Sequence, residues 1–181
     1  MTCNKEVHSP ADLNGITIRT MENKYHMAAW DNLGANPTPL AFNELYTALQ
    51  QGTVDAQENP IELIYANKFY EQQDYVVNTN HIFQTIVWIM NEEFYQSLPD
   101  DLKQVVDGAS SEGIAAACQY QDEHLEQFSQ EIKNYGTQFV DLTDAQREEF
   151  VAATQAVRDM VKADCDAELY EIYMAAVEAA K

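Results

Sequence analysis

"LGANPTPLAFNELYTALQQGTVDAQENP", residues 33–60, decides the fold class, because it is divided by residues that end or begin elements. Gly34 provides a stop for a helix that the preceding apolar spacing predicts. Pro37 and Pro39 then force an extended backbone. Residues 41–52 place apolar side chains at helical spacing, which predicts a second, compact helix.

The end of the same stretch predicts another strand and another helix. Residues 53–56 read as a brief strand, and Asn59 and Pro60 follow it. Asparagine is a favoured helix N-cap and proline suits the first turn, so a helix is predicted over residues 60–70. An asparagine amide at a helix start can also donate to an anion. From the residues alone, we favour the capping role.

Strands are predicted on both sides of that stretch. Residues 15–20 alternate apolar and polar side chains, and residues 74–79 and 82–90 are rich in β-branched and aromatic side chains. Strands therefore alternate with helices through residues 9–98. The expected fold class is α/β, with a mainly parallel sheet and flanking helices.

The last part of the chain, residues 99–181, predicts long amphipathic helices and one strand. The first helix covers residues 99–135, with a bend expected at one of its glycines. After a strand over residues 136–142, Thr143 and Gln146 match a capping box. That pair predicts the start of a second long helix, which continues almost to the end of the chain.

The charge balance excludes some classes of partner. The 181 residues carry 10 basic and 30 acidic side chains, a formal net charge of −20. This charge argues against nucleic acid as a partner and against docking on anionic lipid through a basic patch. No apolar run reaches membrane-spanning length. The first residues contain no apolar signal core, so a leader is expected to be absent or already removed.

The sequence contains none of the common motifs for metal binding, redox chemistry, hydrolysis or phosphate binding. The three cysteines have neither zinc-type spacing nor a Cys-x-x-Cys pair, so no metal site and no cofactor are expected. The sequence also lacks Gly-x-Ser-x-Gly, His-Glu-x-x-His and a glycine-rich phosphate loop. We therefore predict that the protein is not an enzyme.

Arg19 is the strongest candidate for a binding residue. It lies at the carboxyl end of a predicted strand, the edge at which ligands bind in open α/β sheets. A guanidinium there can form two parallel hydrogen bonds to a carboxylate, although pairing with an internal acid is the more common role. For Arg147 and Arg158, in the acidic helical part, surface ion pairing is expected. Phe42 is either a core residue or the wall of a cleft.

Four segments resemble the substrate-binding proteins of TRAP transporters, the DctP-like family. They are "PADLNGITIRT" (10–20), the stretch at 33–60, "KFYEQQDYVVNTNHIF" (68–83) and "FYQSLPDDLKQVV" (94–106). The second of these is the most specific, and the similarity extends over nearly all of residues 9–181.

The resemblance implies a periplasmic solute receptor with two α/β lobes that close over a small organic acid and deliver it to a membrane permease. It implies that Arg19 forms the main salt bridge with the ligand carboxylate. It further implies that Asn59 helps to hold the same group and that Phe42 lines the site.

Two departures from the family pattern stand out. Ala56 occupies a position where family members usually have glycine. The region that supplies most of the first lobe in family members is also expected to be missing, because the sequence is either a fragment of a longer protein or a truncated product. Residues 1–181 are thus expected to form the C-terminal part of a two-lobed protein, with residues 9–98 as second-lobe-like α/β structure and residues 99–181 as long helices with one strand.

The expected loss of most of the first lobe has consequences for the partners of the chain. Without the first lobe, a sheet edge and an apolar surface would be left uncovered. We therefore expect self-association or a swap of segments between copies. The alternative function is a truncated interaction or scaffold protein whose long helices bind a partner and which has no small-molecule ligand. That alternative predicts that Arg19 is paired with an internal acid.

Overall fold

A six-stranded sheet forms the centre of the fold. The computed structural model describes residues 1–83 and 85–179. The strands are β1 (Thr2–Cys3), β2 (Thr17–Thr20), β3 (Asn36–Pro39), β4 (Ala56–Gln57), β5 (Tyr75–Asn78) and β6 (Gln138–Asp141). Their order is β3-β2-β4-β1-β5-β6. The pairs β2–β3, β2–β4 and β5–β6 are parallel, and β1 is antiparallel to both neighbours. The predicted α/β class with a mainly parallel sheet is confirmed.

Helices cover both faces of this sheet. The α-helices within the described residues are α1 (Lys24–Asn32), α2 (Leu45–Gln50), α3 (Ile61–Ala66), α4 (Glu92–Ser97), α5 (Asp100–Tyr135), α6 (Asp144–Ala153), α7 (Gln155–Asp164) and α8 (Ala167–Ala179). Short 3-10 helices occur at Pro10–Leu13, Phe42–Glu44 and Phe69–Gln72. None of the helices in these described ranges is long and apolar enough to cross a membrane.

The proline-rich segment forms an edge strand rather than a plain connection. Asn36 N donates to Ile16 O at 2.8 Å, and Leu40 N donates to Thr20 O at 3.3 Å. Both ends of β3 are therefore hydrogen-bonded to the β2 segment without a proline N–H. An edge strand tolerates proline, because one side of it needs no donors.

The two sheet faces carry separate apolar cores. Val76 and Val77 are both fully buried and belong to different cores, as expected for neighbouring residues on a strand. One core contains Trp30 of α1, and the other contains Phe69 and Ile132. The first core supports α1, and the second holds α3 and α5 against the sheet.

Two predicted helices differ from the observed ones. The helix predicted over residues 60–70 ends at Ala66, because Lys68 adopts a left-handed conformation with φ of 56°. The helix predicted from Thr143 onward is three helices, interrupted at Thr154 and at Cys165. The predicted capping box at its start is confirmed. Helix α5 continues through both of its glycines without interruption.

The strand predicted over residues 82–90 is wrong. Residues 82–83 and 85–90 belong to no strand, and Gln84 lies outside the described residues. Ile89 is 90% exposed. Strand propensity expresses how well a side chain fits a half-buried sheet surface, and the described chain provides no neighbouring strand here. Trp88 lies against Gly113 of α5, where a Cβ atom would come within 2.9 Å of the indole ring.

The two shortest strands have little signal in the sequence. Strand β1 was not predicted, because two residues show no alternation. Strand β4 lies at Ala56–Gln57, later than the predicted residues 53–56. Both strands lie in the middle of the sheet, where register is set by their neighbours.

Candidate ligand-binding site

The candidate site lies at the edge where the parallel strands end. Strand β2 ends just after Arg19, Glu58 and Asn59 directly follow β4, and His81 lies shortly after β5. Ligands bind at this edge in open α/β sheets, since the loops that leave the strands surround it. The topology therefore brings residues from distant parts of the chain to one place.

Arg19 is buried and has no acidic partner. The residue is 3% exposed, and its Nε donates to Leu40 O at 2.9 Å. Among residues 1–83 and 85–179, no carboxylate lies within ion-pair distance of the guanidinium, and neither Nη atom has a hydrogen-bond partner. Burial lowers the pKa of Arg19, and the negative charge of Glu58 partly opposes that shift. The internal ion pair that the scaffold alternative predicts is not found in the described chain.

Phe42 lies beside this guanidinium. The Arg19 Cζ atom is 5.8 Å from the centroid of the Phe42 ring. The ring also makes an edge contact with Phe69, with centroids 5.8 Å apart. Phe42 nevertheless remains 40% exposed, so it is not a core residue. The structure thus brings Arg19 and Phe42 together at the strand ends.

Asn59 does not cap the helix that follows it. Helix α3 begins at Ile61 with Pro60 at the N-cap, so Asn59 lies too early to act as the cap. Its Nδ2 instead donates to Gln57 Oε1 at 2.6 Å. The capping role favoured from the residues alone is therefore wrong.

Gln57 connects Asn59 to the strand that carries Arg19. Gln57 is fully buried, is the register partner of Arg19 across β2 and β4, and donates through Nε2 to Thr2 Oγ1 at 2.9 Å. The structure gives no direct hydrogen bond between Arg19 and Asn59. The two residues belong to adjacent strand ends that Gln57 joins.

A cavity of about 590 Å³ opens at this edge. Its lining includes Asn59, the loop after β5 and residues of α5. Arg19 and Phe42 do not line this cavity. The structure therefore places one of the three predicted site residues, Asn59, in the cavity lining and leaves the other two outside that lining.

Sequence reasoning missed a buried carboxylate with two histidines. Glu58 is 5% exposed, its Oε2 is 3.2 Å from His81 Nε2, and its Oε1 is 3.8 Å from His26 Nδ1. His81 Nδ1 is hydrogen-bonded to Thr79 Oγ1 at 2.8 Å, and its ring meets Trp30 edge-on at 5.0 Å. Burial lowers the pKa of His81, whereas the hydrogen bond with Glu58 opposes this.

This cluster does not form a metal site. Within the described ranges, no group of three or more His, Cys, Asp or Glu side chains is arranged to hold a metal ion. The only sequence signal for the cluster was the position of Glu58 in "QENP", next to Asn59.

The other two arginines hold main-chain carbonyls. Arg147 donates to Thr79 O at 3.2 Å and to Leu142 O at 3.4 Å, and Arg158 donates to Val151 O at 3.0 Å. Neither arginine forms an ion pair with a described acidic residue. The surface ion pairing predicted for both is wrong, and Arg147 instead fixes the loop before His81.

The comparison with known proteins decides the family. Residues 1–164 match the bacterial extracellular solute-binding protein family 7, DctP. The chain belongs to this family. The DctP-family chain is 34% identical over 163 residues to the 2,3-diketo-L-gulonate-binding periplasmic protein of Escherichia coli, a match that covers 87% of the chain and 48% of that relative.

Solved structures agree with this assignment. A TRAP periplasmic solute-binding protein from Shewanella oneidensis, solved with succinate, superposes with a TM-score of 0.85 at 28% identity and covers 94% of this chain and 56% of that one. A similar protein from Polaromonas, bound to D-erythronate, gives a TM-score of 0.86 at 33% identity with the same coverage. The DctP-family chain thus spans about half the length of the relatives it matches.

Proposed function

We propose that the chain is the ligand-binding part of an extracytoplasmic solute receptor of the TRAP type. It binds a small organic acid through its carboxylate and delivers the acid to membrane permease subunits. The observation that carries this proposal is the buried guanidinium of Arg19, which has no acidic partner in the described chain. A buried cation is stable only when it is paired, and a ligand carboxylate is a suitable partner.

Each proposed site residue has a distinct role. Arg19 offers its Nη atoms as a fork to the carboxylate, and Phe42 contacts the apolar part of the acid. Asn59 uses one amide hydrogen for Gln57 and retains a second for the ligand. The net charge of −20 does not prevent anion binding, because exposed charges are screened beyond about 8 Å at physiological salt.

Family membership favours the receptor over the scaffold alternative. The relatives reported above are described as solute-binding proteins, and two of them were solved with carboxylates. We accordingly propose binding without chemical conversion of the ligand. We also propose that residues 1–181 correspond to the C-terminal part of a two-lobed protein, with residues 9–98 in the second lobe and the carboxyl edge facing the other lobe.

A thermal-shift screen of small organic acids tests the proposed function. A ligand at a hundred times its dissociation constant stabilises the folded state by about 2.7 kcal/mol, so the melting temperature is expected to rise by several degrees. Matched neutral compounds, such as the corresponding amides, provide the control. A screen in which acids and amides give the same melting temperature contradicts the proposal.

Residues 82–90 lead to a proposal about association. The segment exposes apolar side chains, among them Phe83, Ile86 and Ile89. We propose that in solution the isolated chain covers this segment with a second copy. The apparent mass in sedimentation or gel filtration is then expected to rise with concentration.

Substitutions locate the proposed association surface. The double variant Phe83→Ser, Ile89→Ser is expected to shift the chain toward monomer. Val151→Ser removes an exposed apolar side chain of α6 and serves as the control that leaves association unchanged. A strictly monomeric wild-type chain at all concentrations counts against the proposal.

A further inference from the structure

The segment that follows β5 forms one wall of the cavity at the carboxyl edge. Residues 79–83, the β5 loop, all line that cavity. The chain turns sharply within the loop, since Asn80 has a left-handed φ of 45°. Non-glycine residues adopt this conformation infrequently, although asparagine tolerates it better than most, and it persists only where the surrounding contacts hold it. The contacts on either side of Asn80 therefore decide the shape of this wall.

Arg147 of α6 holds the start of the β5 loop. Its Nη1 donates to Thr79 O at 3.2 Å, and its Nη2 donates to Leu142 O at 3.4 Å. These two carbonyls belong to the segments that leave β5 and β6, which are neighbouring parallel strands. One planar guanidinium thus joins two chain segments whose relative position sets the entry to the β5 loop. Arg147 itself does not line the cavity.

Thr79 passes this constraint on to His81. Thr79 is 5% exposed, and its Oγ1 is 2.8 Å from Nδ1 of His81. The carbonyl of the same threonine accepts from Arg147, so the hydroxyl is carried by main chain that Arg147 holds. On the other side of the ring, Nε2 of His81 is 3.2 Å from Oε2 of Glu58. The ring is therefore held at both nitrogens, and Trp30 meets it edge-on with centroids 5.0 Å apart.

The partners of the two ring nitrogens specify one tautomer of His81. An ionised carboxylate only accepts hydrogen bonds, so His81 Nε2 donates to Glu58. In a neutral imidazole the other nitrogen is an acceptor, and the Thr79 hydroxyl then donates to Nδ1. Burial lowers the pKa of His81 and so favours the neutral ring, while the hydrogen bond with Glu58 opposes this; the charges of the Met1 α-amino group and of His26 on α1 lower the pKa further.

We propose that Arg147 is a positioning residue of the candidate site, which acts through Thr79 to keep the β5 loop in place and His81 in the Nε2–H tautomer against Glu58. This inference rests on the proposed function only in treating the cavity as part of the acid-binding site. An acid that enters the cavity then meets a wall that is already ordered, so binding does not carry the cost of ordering the β5 loop.

Nuclear magnetic resonance of the histidine rings in the ligand-free chain tests the inference. Correlations between ring nitrogens and ring protons distinguish the two neutral tautomers, and His81→Gln identifies the signals of His81 by their loss. Arg147→Gln removes the guanidinium, so the ratio of the Nδ1–H to the Nε2–H form of His81 is expected to rise about fivefold, the change that losing one hydrogen bond produces in an equilibrium. Arg147→Lys keeps the charge but not the planar fork and should give an intermediate ratio.

Arg158→Gln is the matched control. The guanidinium of Arg158 on α7 also donates to a main-chain carbonyl, that of Val151, at 3.0 Å. Within the described chain its hydrogen bonds reach no residue of the β5 loop, so the tautomer ratio should remain that of the wild type. In calorimetry with an acid from the thermal-shift screen, Arg147→Gln is expected to bind about fivefold more weakly and Arg158→Gln normally, because apparent affinity falls with the fraction of molecules whose wall is competent to bind.

The outcomes separate the inference from the proposed function. An unchanged tautomer ratio in a folded Arg147→Gln variant overturns the inference, and so does a shifted ratio with unchanged affinity, because the wall would then not matter to the ligand. If that variant does not fold, Arg147→Lys takes its place, and a wild-type ratio there overturns the inference. Binding of no acid overturns the proposed function, and the tautomer ratios of Arg147→Gln and Arg158→Gln then decide the role of Arg147 by themselves.

Discussion

Arg19→Ala is expected to weaken carboxylate binding by about a hundredfold to a few thousandfold. Removing one partner of a buried, hydrogen-bonded charge pair costs about 3–5 kcal/mol, and each 1.4 kcal/mol is tenfold in affinity. Isothermal calorimetry with an acid identified in the thermal-shift screen measures the loss. Circular dichroism establishes that the variant is folded, which we expect because alanine leaves no buried charge behind.

Two further variants make the result specific. Arg19→Lys keeps the charge but not the planar fork, so it should recover only part of the affinity. Arg158→Ala removes a guanidinium that contacts Gln155 and a main-chain carbonyl of α6, far along the chain from the site, and should bind normally. Unchanged affinity in Arg19→Ala would show that the buried guanidinium is structural and would remove the basis of the receptor proposal.

Trp30→Ala is expected to lower the free energy of unfolding by about 3–5 kcal/mol, as large-to-small substitutions of buried aromatic residues do. Trp30 is 1% exposed, belongs to the core between α1 and the sheet, and supports the ring of His81. Because the free energy of unfolding of a domain is only about 5–15 kcal/mol, the variant is expected to be only weakly stable. Urea unfolding followed by circular dichroism measures the change.

The second tryptophan provides a matched control. Trp88 is 60% exposed and lies on the surface of α5, so Trp88→Ala should change stability much less than Trp30→Ala. The measurement is made at low concentration, since residues 82–90 are proposed to associate. Equal losses in the two variants would contradict the described burial of Trp30.

Much of the fold was predictable, because most of its strands and helices show clear patterns in the sequence. The strand before α1, the helix that ends shortly before Gly34 and the strand before α6 all show periodicity and end signals that act locally. The wrong or missing predictions concern segments whose structure depends on residues distant in the sequence. Residues 82–90 have high strand propensity but no described strand beside them, and β1 is too short to show any pattern.

The site was predictable in part for the same reason. Arg19 was identifiable because arginine is rare here and lies at a strand end. Glu58 is one of 30 acidic residues, and only the folded sheet brings His26 and His81 to its two oxygens. Asn59 was misjudged because a shift of the helix start by a single residue changes which side chain is the cap.

The short strand β1 has a consequence for the geometry of the candidate site. In the described sheet, β3-β2-β4 and β5-β6 form two parallel ladders whose strands are joined through the two residues of β1. Arg19 and Asn59 belong to one ladder, and His81 follows the other. The distance from Arg19 to His81 is thus set across the two residues of β1, so a displacement of Thr2 and Cys3 would move the His81 loop relative to the strand ends that carry Arg19 and Asn59.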